Sequence, residues 1–153
     1  MLAALDAATF AALQRDSHIL IAGFVNGAAE SALATTAGYI STRVQFGRPL
    51  SAKQAVRHLL ARMRLQQEAS SAGIQRVLDT DEYGRVRATR PVLANALASA
   101  AFVLEKSIHL HGGMGFTWEV PLHYALREVR KFDAAFGSGA LASQVGRDFI
   151  QSA

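Results

Sequence analysis

The sequence predicts an all-α domain: an up-and-down four-helix bundle with an additional C-terminal helix. Apolar residues recur at helical spacing, as at Val56, Leu59, Leu60 and Met63, which fall at i, i+3, i+4 and i+7. No segment alternates apolar and polar with period two, so no strand is expected. The chain has 153 residues, half of them apolar, with only 3 Pro. That is enough for one hydrophobic core and one domain.

The first helix is expected from about Asp6 to Arg43. Gly23, Gly27 and Gly38 interrupt it without proline, which points to close helix packing or a local break. Gln45 to Pro49 then stops it, because Pro49 disfavours helix at Arg48. Ser51-Ala52-Lys53-Gln54 reads as a capping box, with Ser51 at the N-cap and Gln54 at N3. Helix two follows, from about Ala52 to Leu78, and Asp79 to Gly84 is turn-like. Helix three begins near Pro91, and Leu93, Leu97, Ala100, Ala101, Leu104 and Ile108 form its buried stripe. Gly112-Gly113 ends it, with glycine where a left-handed residue is wanted. Met114 to Val120 is read as a loop. Pro121 opens a fourth helix to about Lys131, and Phe132 to Gly139 is irregular. Ser138 serves as N-cap of a last, peripheral helix through Ile150.

Composition removes several functions. With no Cys there is no disulfide scaffold, thiolate metal site or cysteine nucleophile. No metal site is expected: the five His are scattered, and no HExxH or Glu-x-x-His pair occurs. The formal charge is +4, but the basic residues are dispersed without aromatic interleaving, so no nucleic-acid role is assigned. Charged residues interrupt every apolar run, and no basic region opens the chain. The expectation is a cytoplasmic domain without membrane insertion or secretory signal.

Two segments carry more than a fold. Arg43-Val44-Gln45-Phe46-Gly47-Arg48-Pro49 places a guanidinium at a helix end beside an amide and an aromatic, a group suited to phosphate or pyrophosphate. His109-Leu110-His111-Gly112-Gly113-Met114-Gly115-Phe116-Thr117-Trp118-Glu119-Val120-Pro121-Leu122 supplies glycines that let backbone approach a ligand. In this order, separated by two amphipathic helices, the segments resemble the C-terminal helical domain of acyl-CoA dehydrogenases. The resemblance runs from about Asp16 to Ile150.

The resemblance implies an FAD site at a subunit interface. Arg43 would reach the flavin's pyrophosphate from the neighbouring subunit, with Gln45, Phe46 and Gln54 beside the adenosine half. His109, His111, Gly112 and Gly113 would lie along the adenine and pyrophosphate, and Ser138 completes the implied cofactor set. The family usually has Gln where this chain has His109. Family members remove an α-proton from an acyl-CoA thioester with a glutamate while hydride passes to the flavin. At the two positions where the family carries that Glu, this sequence has Phe136 and Ser17, and neither takes a proton. The family's adjacent Arg is here His18. Asp16, His18 and Asp133 are the nearby weak candidates for a relocated base.

The family's N-terminal helical and middle β-domains are absent from these residues. The resemblance therefore implies a homodimer or homotetramer, or a partner of a catalytically competent acyl-CoA dehydrogenase subunit. FAD would be held tightly, and acyl-CoA met, only in a full assembly. The alternatives are an assembly module without flavin and a competent enzyme with a relocated base.

Overall fold

A computed structural model describes residues 6–152. Helix α1 spans Ala7–Thr42. Asp6 caps it: one carboxylate oxygen accepts the Thr9 N–H at 2.8 Å and the other accepts the Thr9 hydroxyl at 2.9 Å. The helix runs unbroken through Gly23, Gly27 and Gly38. Those glycines correct the sequence expectation, because each is exposed and a Cβ there would meet nothing within 4 Å. Close packing comes instead from alanine, with Ala22, Ala29 and Ala32 buried along one stripe with Val25, Leu33, Thr36 and Ile40.

Thr42 ends α1 and a small hairpin follows. Strand β1 (Val44–Gln45) pairs antiparallel with β2 (Arg48–Pro49) around Phe46-Gly47. The expectation of no strand missed it, since two residues are too few to display a period. Both turn residues have positive φ, 55° at Phe46 and 76° at Gly47, as a tight two-residue hairpin requires. A 3-10 turn over Leu50–Ala52 leads to α2, Gln54–Leu78. The capping box does not form: Lys53 is the N-cap and no side chain caps the helix. Ser51 is inside the 3-10 turn, and the extended Lys53 separates that turn from α2, so Ser51 does not occupy the N-cap position.

Helix α3 (Arg90–His111) packs against α1, α2 and the two later helices. Its predicted stripe is buried throughout, with Leu93, Leu97 and Leu104 fully excluded from solvent. A 3-10 turn occupies Gly112–Phe116, where a plain loop was expected. Helix α4 spans Leu122–Phe136, with Pro121 as its N-cap, and α5 spans Ser138–Ser152. The stretch expected to be irregular is therefore helical except at Gly137, which is left-handed at φ 64°. Ser138 is the first residue of α5 and not its cap. Asp133 does the capping, accepting the Ser138 N–H at 3.2 Å. No residue of α5 is buried, which agrees with a peripheral fifth helix.

Helix α1 and residues Arg90–Phe116 are long and apolar enough to cross a bilayer by length and composition, with mean hydropathies of 1.3 and 1.2. Scattered charges hide this from a search for uninterrupted apolar runs. The second segment owes its apolarity to its central position, since 61% of its window is buried in the bundle; for α1 the share is 39%.

Candidate functional site

Arg43 closes α1 in an extended conformation (φ −70°, ψ 114°), its N–H donating to the Tyr39 carbonyl. Its own carbonyl accepts the Leu50 N–H at 2.9 Å, which ties the hairpin back onto the helix end. The guanidinium is exposed and pairs with no carboxylate among the described residues. It therefore stands beside the negative end of the α1 dipole with its donors free.

Across from it lies the end of α3. Arg43, Gln45, His109, His111, Gly112 and Gly113 line one pocket of about 530 Å³, with Tyr39 between them. Six of the nine predicted cofactor residues are thus brought together from two distant stretches. Gly112 turns the chain at φ 60°, ψ −137°, a conformation only glycine adopts without strain. A Cβ at Gly112 or Gly113 would project into open space, so both present bare backbone. His111 is buried, its Nδ1 2.8 Å from the Ser107 carbonyl, and its ring stacks on Tyr39 at 4.3 Å with 20° between the planes. His109 is exposed. This donor set fits an anionic nucleotide: a free guanidinium, an amide and uncovered backbone.

Phe46, Gln54 and Ser138 lie outside that pocket. Phe46 is 91% exposed, with Lys53 Nζ 4.2 Å from its ring centroid. Gln54 is exposed at the start of α2. Ser138 donates both its N–H and its hydroxyl to Asp133. Tyr39, Leu50, Val56, Leu110 and Met114 also line the pocket without a role assigned from the sequence. For Tyr39 a signal is present, since it stands four residues, one helical turn, before Arg43.

A second pocket, about 470 Å³, is lined by Ser17 and Phe136 together, with His18, Leu13, Phe10 and Arg90. The two positions implied for a catalytic carboxylate, 119 residues apart in sequence (136 less 17), face one space. Neither supplies a base: the Ser17 hydroxyl donates to the Leu13 carbonyl at 2.8 Å, and Phe136 meets His18 edge-on at 6.1 Å. His18 is buried with Nδ1 2.9 Å from the Thr89 hydroxyl. Burial, and then the Arg90 charge, hold its imidazole below the ordinary histidine value, which weakens it as a base. Asp133 lines neither pocket. Hydrogen bonds from the Ser138 hydroxyl and N–H, and from Arg130 at 3.1 Å, keep its carboxyl below the usual carboxylate range. Asp16 pairs with Arg15 at 3.5 Å and lines a third cavity of about 750 Å³, between α1, residues 86–91 and α5. Arg90 had no motif to mark it; only the fold brings the start of α3 to these pockets.

Residues 13–150 match the family model for the acyl-CoA dehydrogenase C-terminal domain, and the chain belongs to that family. Acyl-CoA dehydrogenase IpdE2 of Mycobacterium tuberculosis is 35% identical over 105 residues, 69% of this chain and 32% of the relative. Among solved structures, the steroid ACAD Tcur3481-Tcur3483, in a G363A variant, superposes with a TM-score of 0.78 at 28% identity, covering 91% of this chain and 39% of that one. A glutaryl-CoA dehydrogenase from Mycobacterium smegmatis, in complex with FADH2, shares the fold with a TM-score of 0.79 at 22% identity over 86% of this chain and 35% of that one. The chain spans about a third of the length of the curated relatives it matches.

Proposed function

We propose that this chain contributes one wall of an FAD site in an acyl-CoA dehydrogenase assembly without supplying the catalytic base. The observation that carries the proposal is the pocket joining Arg43, Gln45, His109, His111, Gly112 and Gly113. FAD, when bound, supplies the hydride acceptor for α,β-dehydrogenation of an acyl-CoA thioester. Arg43 binds the pyrophosphate through charge-assisted hydrogen bonds. Gly112 and Gly113 let the backbone lie close to the nucleotide, and Phe46 and Gln54 extend the contact outside the pocket. The glutaryl-CoA dehydrogenase neighbour that holds FADH2 supports the same cofactor here.

The Phe136 pocket supports the second half of the reading. It joins the two places from which family members act on the α-proton, and neither side chain here accepts one. The working unit is then a homodimer or homotetramer, or a mixed complex in which a competent partner supplies the carboxylate and acyl-CoA is met. The steroid ACAD neighbour points to bulky, steroid-derived thioesters as the substrate class. The apolar faces of α1 serve packing and subunit contact, not a bilayer, and the assembly works in the cytoplasm. This chain alone holds FAD weakly, because one wall buries little of the ligand.

The test is a flavin-binding titration of the full assembly. Arg43→Ala lowers FAD affinity about tenfold, the loss of a charge-assisted contact, and unchanged affinity overturns the proposal. Asp16→Asn and Asp133→Asn leave turnover within a few-fold. A loss of about 100-fold or more in either, with flavin retained, replaces this reading by an enzyme with a relocated base.

A further inference from the structure

His111 is the one buried side chain lining the Arg43 pocket, at 3% exposure, and the flavin reading leaves open which part of the ligand it meets. Its chemistry is already constrained from behind. Nδ1 lies 2.8 Å from the Ser107 carbonyl, one turn back on α3. A carbonyl oxygen only accepts, so Nδ1 carries a proton and donates it. In the neutral ring Nε2 is then a lone pair. Tyr39 holds the ring against the turn that would put a carbon in place of Nδ1: its ring stacks at 4.3 Å and its hydroxyl donates to the His111 carbonyl at 3.4 Å. The hydrogen bonds of the described residues leave Nε2 without a partner.

A lone pair on the floor and a guanidinium at the rim divide a ligand into two parts. Arg43 takes an anionic oxygen. Nε2 takes an O–H or N–H donor, because a phosphate oxygen is itself an acceptor and would face it lone pair to lone pair. Resting on the flavin reading, we infer that Ser107 and Tyr39 fix His111 as the Nδ1–H tautomer. It accepts a hydrogen bond from a hydroxyl or amino group of the nucleotide, while the phosphates lie away from it, toward Arg43. His111 thereby sets the direction in which the nucleotide lies across the pocket.

Long-range proton–nitrogen NMR of the 15N-labelled full chain reads the imidazole tautomer directly and detects weak ligands. His111 is expected as Nδ1–H before and after titration. Its Nε2 resonance should move on adding FAD or ADP but not inorganic pyrophosphate, whereas the Arg43 side chain responds to all three. Inosine diphosphate in place of ADP separates the two donors: a retained Nε2 response assigns the hydroxyl, a lost one the amino group. His111→Phe keeps the ring stack and weakens ADP about three- to tenfold while leaving pyrophosphate unchanged, the span of one ordinary hydrogen bond. An Nε2–H tautomer overturns the inference, as does pyrophosphate moving Nε2 as far as ADP does. Silence at His111 while Arg43 responds overturns this inference alone. Silence at Arg43 toward every ligand, together with unchanged FAD affinity of the Arg43→Ala full assembly, overturns the flavin reading on which it rests.

Discussion

At Gly115 the chain passes so close to α3 that a Cβ would sit 2.5 Å from the Ile108 carbonyl oxygen and 3.0 Å from its Cα. Backbone atoms in the last turn of α3, held by its hydrogen bonds, do not step aside as a flexible side chain does. Gly115→Ala is therefore expected to destabilise the fold by about 1–3 kcal/mol, the range for overpacked sites. A urea-unfolding midpoint equal to that of the parent would contradict it. His18 makes a different residue-scale prediction. Burial and Arg90 depress its folded value below 6.5, so as pH falls the unfolded chain takes up that proton first. The stability contribution is complete above about pH 6.5 and is lost as pH falls through the folded value. Unfolding measured at about pH 7.5 and 5.5 should show this loss in the parent and a smaller one in His18→Asn. Equal losses in the two proteins would assign the acid sensitivity to other groups.

Helix α5 has no buried residue, so its attachment rests on partly covered side chains such as Leu141 and on the link through Gly137. Asp133 holds that link by accepting from the Ser138 N–H and hydroxyl while pairing with Arg130. Loss of such a cap costs about 0.5–2 kcal/mol. Asp133→Ala is expected to fall in that range and to speed amide exchange in α5 before any other helix. Because the folded carboxyl sits below its ordinary 3.8, its contribution is present above that pH and disappears as pH falls through the folded value. The variant should accordingly show a flatter acid limb. Unchanged exchange in α5 would mean that Leu141 and its neighbours suffice to hold the helix.

The whole molecule is arranged around α3, which touches the other four helices and leaves them with outward faces of their own. On α1 those faces are apolar: Phe10, Leu13, Leu20 and Phe24 fall on one side of the helix and are each more than half exposed. Apolar surface of this kind drives association. The chain is expected to form a two-fold symmetric dimer or tetramer, and Leu20→Glu to shift it toward monomer. A monomeric mass by light scattering at high micromolar concentration would sink that expectation.

The sequence by itself determined the helices, the stripe that α3 buries, the two motif segments and the lack of a carboxylate at positions 17 and 136. All of these are local: periodicity, breakers and residue identity are legible along the chain without knowing how it folds back. Only the tertiary structure decided which residues meet. Ser17 and Phe136 share a pocket because α1 and α4 both lie against α3, and no spacing in the sequence encodes that crossing. The same holds for competition among polar groups. Ser138 was legible as a helix start, yet its hydroxyl is claimed by Asp133; His109 and His111, two apart, belong to different sides of a helix, but only the fold walls in His111 with Ser107 and Tyr39. A hydrogen bond goes to the partner that the fold brings within reach, so the chemical role of a polar residue is settled by packing rather than by its letter in the chain.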